Sequence, residues 1–116
     1  MRNKEHNLQA ACVRWFRYEY PKFKMLLYAI PNGGKRNIKT AQYLKAEGVV
    51  AGVADLFLSI PSGGFCGLYI EMKTETGRQT EKQKEFEKEV KAAGYDYIIV
   101  RTFEGFQTAI NNYLIF

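Results

Sequence analysis

The sequence predicts an α/β fold in which a mixed β-sheet is flanked by helices, in the order α-β-α-β-β-α-β-α. Two apolar and aromatic runs, Asp55 to Ile60 and Phe65 to Lys73, flank Pro61-Ser62-Gly63-Gly64, the strongest turn signal in the chain. The second run leads through a helical segment to Tyr97-Ile98-Ile99-Val100. A strand–helix–strand unit of that length implies a parallel crossover. Amphipathic patterns at helical spacing occupy both ends of the chain.

At 116 residues the chain is long enough for one domain, spanning 1–116, and too short for two. A hydrophobic fraction of 47%, with eight Tyr, eight Phe and one Trp, excludes a disordered tail. No apolar run reaches the length of a membrane span, and Met1-Arg2-Asn3-Lys4-Glu5-His6 lacks a secretory core, so no membrane partner is expected. Cys12 and Cys66, on an expected helix and strand, read as reduced core thiols of a cytosolic protein. They form no zinc site, and the single histidine, His6, does not complete one. The net charge of +5 suits a polyanionic partner without requiring one.

In chain order, residues 4 to 19 form the first helix, with Leu8, Cys12, Trp15 and Phe16 on its apolar stripe. Glu5 and Glu19 fall on or near that stripe at opposite ends. A carboxylate at the margin of a buried face is unusual, and Glu5 is explained first as a favourable charge at a helix N-terminus. Pro21 stops the helix. Met25 to Ile30 reads as a short buried strand, closed by Pro31-Asn32-Gly33-Gly34-Lys35-Arg36. That turn is either an anion-binding concavity or a plain basic loop. It is not a Walker A loop, because Ala29 replaces the first glycine and Arg36 the Ser or Thr. Residues 37 to 47 form a second helix with apolar Ile38, Ala41, Tyr43 and Leu44. Gly48 ends it. Lys35, Arg36, Lys39 and Lys45 make this the most basic segment. Gly52, just before the first hairpin strand, either admits a close backbone or only shapes the start of the strand.

Gly77 and Arg78 lie in the polar connection after Lys73. Thr80-Glu81-Lys82-Gln83 is a capping box opening a helix that runs to Ala93 and stops at Gly94. Gln83 shares the inward face of that helix with Phe86, Val90 and Ala93, which a purely capping glutamine does not require. Thr102 caps the last helix, whose Phe106, Ile110 and Leu114 face the sheet.

Centring the hairpin on Gly63 places Asp55 opposite Glu71. Side chains alternate along a strand, so Asp55, Phe57, Tyr69, Glu71 and Lys73 share one face and Leu56, Leu58, Leu68, Ile70 and Met72 the other. Facing carboxylates repel. A divalent cation removes that cost, and a lysine on the same face orients a water and offsets negative charge. The pattern suits metal-assisted phosphodiester hydrolysis. Charges on an exposed strand face are also an ordinary solvated surface.

Asp55 and Glu71-x-Lys73 on adjacent strands resemble the PD-(D/E)XK nuclease superfamily. More closely, the chain resembles stand-alone, phage-type VRR-NUC (virus-type replication-repair nuclease) domains over nearly its whole length. The resemblance rests on Glu5-x-x-Leu8-Gln9, Ile30 to Arg36, Gly52-Val53-Ala54-Asp55-Leu56, Ile70-Glu71-Met72-Lys73 and Gln83 after a Gly-Arg turn. It implies a restriction-endonuclease-like core and catalytic residues Glu5, Asp55, Glu71, Lys73 and Gln83. Asp55 and Glu71 would bind Mg²⁺ or Mn²⁺, and Glu19 is the other candidate for the helix acid. One departure is Ala54, where the family usually has proline.

The expectation is therefore a metal-dependent, structure-specific DNA endonuclease. The resemblance points to a Holliday-junction (four-way junction) resolvase acting as a homodimer on branched DNA, in the host cytoplasm if phage-encoded. Lys35, Arg36, Lys39 and Arg78 would hold the DNA backbone without reading bases. The C-terminal Tyr113-Leu114-Ile115-Phe116 either supplies interface or completes the core. A restriction-type sequence-specific endonuclease and a non-catalytic nucleic-acid-binding domain on the same fold are the rival readings.

Overall fold

The computed structural model describes residues 2–31 and 38–115. The hairpin at its centre pairs β2 (Leu56–Leu58) antiparallel with β3 (Leu68–Met72), with Leu56 opposite Ile70, Phe57 opposite Tyr69 and Leu58 opposite Leu68. This is the register expected from a turn centred on Gly63. β1 (Leu27–Ala29) pairs antiparallel with β2, and β4 (Asp96–Val100) pairs parallel with β3, so the sheet order is β1-β2-β3-β4. The helices are α1 (Arg2–Glu19), α2 (Ile38–Ala46), α3 (Glu81–Ala92) and α4 (Phe103–Tyr113), in the expected order. A single 3₁₀ turn, Pro21–Phe23, follows α1.

The alternation along the hairpin divides the sheet as the sequence implies. Leu56, Leu58, Leu68, Ile70 and Met72 are buried together with Cys12 and Phe16 of α1 and Phe106 and Ile110 of α4. Trp15 makes edge contacts with Tyr20, Phe103 and Phe106, holding α1 against α4. The opposite face carries Phe57, Tyr69 and Tyr97, and Phe86 of α3 meets Tyr69 edge-on with ring centroids 5.1 Å apart. The sheet therefore lies between α1 and α4 on one side and α3 on the other. Leu114 joins the core and the Tyr113 hydroxyl donates to the Ile60 carbonyl at 2.6 Å, whereas Ile115 is 71% exposed. Among the described residues no helix is long and apolar enough to cross a membrane.

Three local expectations are corrected. Met25 to Ile30 is not a buried strand: only Leu27–Ala29 is extended, at the edge of the sheet, and Met25 is 83% exposed. The Leu26 amide bonds back to the Phe23 carbonyl, so the turn after Pro21 consumes the start of the run. Cys66 is not a core thiol on a strand. It sits in the hairpin turn and is exposed, while Cys12 is buried. In α2 the half-buried positions are Thr40 and Leu44, one turn apart, and Ala41 and Tyr43 point to solvent.

Candidate active site

The polar face of the hairpin brings two carboxylates together where β2 begins and β3 ends. Asp55 is held at two points: its backbone carbonyl accepts from the Ile30 amide at 2.8 Å, and its Oδ2 accepts from the Met72 amide at 2.7 Å. The second bond anchors the Asp55 carboxylate across the strand pair, beside Glu71. Ala54, at the usual proline position, is fully buried.

Glu71 is only 3% exposed. Its Oε2 accepts from Gln83 Nε2 at 2.9 Å and lies 4.0 Å from Lys73 Nζ. Its Oε1 is buried with no hydrogen-bond partner among the described residues. Burial, above all, pushes the Glu71 carboxyl up to about 8. The negative charges of Asp55 and Glu5 act in the same direction, while Lys73 opposes them. A crowded carboxyl pair of this kind is relieved either by a shared proton or by a cation.

Lys73 is 9% exposed with its Nζ beside Glu71, and its amide donates to the Val100 carbonyl at 2.9 Å, continuing the pairing of β3 with β4. Gln83 arrives from the first turn of α3, where it completes the capping box with Thr80 and also reaches Glu71. Gly52 explains how α3 comes so near. Its φ is +90°, and a Cβ there would stand 2.4 Å from the Lys82 carbonyl oxygen. Only glycine lets the chain leading to Asp55 press against the helix that carries Gln83. Of the alternatives raised by the sequence, close backbone approach is the one realised.

Of the two acids on α1, Glu5 is the one brought to this cluster. It is half-buried, it shares a groove with Asp55 and another with Lys73, and its charge acts on Glu71. Glu19 is exposed at the far end of the helix. Among the proposed DNA-binding cations, Lys39 is exposed on α2 and Arg78 is exposed in the connection from β3 to α3. Lys35 and Arg36 lie outside the described residues.

Two features were not legible beforehand. Arg101 donates to the carbonyls of Thr74, Glu75 and Gly77 at 2.8, 3.3 and 2.6 Å, pinning the connection between β3 and α3. Gln79 Nε2 joins Glu87 and the Tyr97 hydroxyl just ahead of the helix cap. Neither residue sits in a motif that marks it.

Among the described residues no group of three or more His, Cys, Asp or Glu side chains forms a ready-made metal cage. The donor set is narrower: two carboxylates, one with an orphaned buried oxygen. Hard oxygen donors in that number fit Mg²⁺ or Mn²⁺, which keep several waters.

No curated protein matches the chain. Among solved structures, a VRR_NUC domain protein superposes with a TM-score of 0.83 at 24% identity, over 95% of this chain and 87% of that one, so the fold is shared. The family model for the VRR-NUC domain matches residues 3–104, a span that contains Glu5, Asp55, Glu71, Lys73 and Gln83 together with every strand of the sheet. The chain therefore belongs to the VRR-NUC domain family, a nuclease-type fold.

Proposed function

We propose that the protein is a divalent-metal-dependent DNA endonuclease that hydrolyses phosphodiester bonds, with Asp55 and Glu71 holding Mg²⁺ or Mn²⁺. The observation that carries this reading is the buried Glu71 carboxyl, crowded by Asp55 and left with an unpartnered Oε1. A bound divalent cation supplies charge neutralisation for a phosphoryl oxygen and makes a water more acidic. Lys73 orients the attacking water and offsets negative charge building on the phosphate. Gln83 fixes the Glu71 carboxylate by its hydrogen bond, and Glu5 adds a third acid at the margin. Lys39 and Arg78, with Lys35 and Arg36, offer positive charge to the DNA backbone.

The same reading puts the chain among phage-type members of the PD-(D/E)XK superfamily and makes it a four-way-junction resolvase working as a homodimer in the cytoplasm. Its support is the resemblance of the motifs, together with the need for two active sites in paired incision.

Cleavage of labelled four-way junction, flap, single-stranded and linear duplex DNA with Mg²⁺, Mn²⁺ or EDTA tests both levels. Metal-dependent cutting of any substrate supports the nuclease. Paired symmetric cuts confined to the junction support the resolvase. DNA binding without cutting under any metal favours a binding-only domain instead.

A further inference from the structure

A phosphate backbone delivered to Asp55 and Glu71 meets negative charge, so something else must hold the strand. Two basic residues near the acids are not free for this, although Lys4, exposed beside Glu5, is. Arg101 is committed to three carbonyls, and Lys73 is buried beside Glu71. The answer lies on the side of α1 that lines the groove ending at Asp55.

Asn3, His6, Ala10, Val13 and Arg17 recur at three- and four-residue spacing and so share one side of α1, with Arg14 adjoining. This side lines a groove of about 1000 Å³ that is bounded at one end by Glu5, Gln9 and Asp55. The groove is graded in charge. Its near end is acidic and belongs to the candidate active site, its middle is floored by Ala10 and Val13, and its far end carries two guanidiniums. Arg14 and Arg17 are exposed, and no ion pair or hydrogen bond among the described residues engages either. Two uncommitted guanidiniums opening into the groove that ends at Asp55 are placed to take successive phosphate oxygens.

We infer that this groove is the track for the DNA strand flanking the cut, with Arg14 and Arg17 holding backbone phosphates on one side of the scissile bond. The inference rests on the nuclease reading and extends it to the path of the substrate. Glu5 to Arg17 spans about 18 Å along the helix axis at about 1.5 Å per residue. The clamp therefore sits several nucleotides along the strand from the acids. The small side chains of the groove floor let the backbone approach, and Asn3, His6 and Gln9 supply hydrogen-bonding groups at the acidic end.

The test measures binding of labelled duplex DNA over a KCl series, in a Glu71→Gln background that prevents cutting. The Arg14→Gln/Arg17→Gln double variant is compared with Lys88→Gln, a control on the exposed side of α3. Two lost phosphate contacts lower the slope of log affinity against log salt by about 1.8 and weaken binding about tenfold at moderate salt. Lys88→Gln stays within about twofold. Arg14→Lys/Arg17→Lys recovers most of the loss, because a phosphate contact needs charge more than shape. With the wild-type site, the double glutamine variant raises KM and leaves kcat within about twofold. Affinity and slope equal to the control, in a protein that still cuts DNA, overturn the track and leave the nuclease standing. The expected loss in a protein that cuts no DNA under any metal keeps the track and removes the nuclease. No binding by the parent protein even at low salt overturns both.

Discussion

Gln83 donates from Nε2 to Glu71 Oε2 at 2.9 Å while its Oε1 accepts the Thr80 amide, also at 2.9 Å. One amide group thus fastens the start of α3 and the central carboxylate of the site. The two roles separate by substitution. Thr80→Ala removes the cap alone and costs about 1 kcal/mol, with cleavage nearly intact. Gln83→Glu keeps a side chain that caps but sets a carboxylate against Glu71, so cleavage falls about tenfold or more. Thermal melts and cleavage rates on the two variants check this. Equal loss of activity in both means Gln83 acts only through the helix.

Asp55→Asn, Glu71→Gln and Lys73→Met each reduce cleavage by about a hundredfold or more while preserving the circular dichroism spectrum. Glu5→Gln produces a smaller loss and Glu19→Gln none, because only Glu5 reaches the cluster. A Glu19→Gln variant as impaired as Glu5→Gln contradicts the placement of α1.

Stability without metal depends on pH in a definite direction. Glu71 is pushed above its ordinary carboxyl value to about 8 in the fold, so folding favours its neutral form. The stabilisation is fully present below about 4.5 and is lost as pH rises toward about 8. Melting in EDTA across that window shows a falling midpoint in the wild type and a flatter profile in Glu71→Gln. Adding Mg²⁺ or Mn²⁺ at pH about 8 raises the wild-type midpoint and leaves the variant unmoved.

Gly52→Ala and Gly48→Ala separate close approach from backbone preference. Both glycines have positive φ, but a Cβ at Gly48 meets nothing within 4 Å, whereas at Gly52 it collides with the Lys82 carbonyl. Gly48→Ala costs about 1 kcal/mol by backbone strain alone, and Gly52→Ala costs more. Gly52→Ala also lowers cleavage, because the displaced contact joins the approach to Asp55 with the turn that carries Gln83. Comparable stability and activity in the two variants count against that coupling.

The two cysteines behave differently toward alkylation. Burial pushes the Cys12 thiol up to about 12, while Cys66 is exposed in the hairpin turn. Mass spectrometry after brief treatment of the native protein at pH about 8 finds one labelled site, Cys66, and finds two after denaturation. Early labelling of Cys12 contradicts its position in the core.

Much of this protein is written in short-range pattern. The Gly63-Gly64 turn and the alternation around it dictate that Asp55 stands by Glu71 and that Leu56, Leu58, Ile70 and Met72 form the opposite face. Hairpin register depends on the turn and the pleat, both of which are local. The capping box of Thr80 and Gln83 is legible for the same reason, and the parallel pairing of β3 with β4 follows from the helix that joins them. The edge position of β1 and the exposure of Tyr43 are not, since an apolar run does not say which of its residues a neighbour will cover. Nor does one helix reveal that Glu5 rather than Glu19 reaches the acids, or that Arg14 and Arg17 open into the groove ending at Asp55. The sequence by itself determined the order of the elements, the hairpin register and the pairing of the two carboxylates. Only the tertiary structure decided the partners of α1 and the closeness of α3, because these depend on how separate elements pack, and packing brings together residues that no sequence spacing relates.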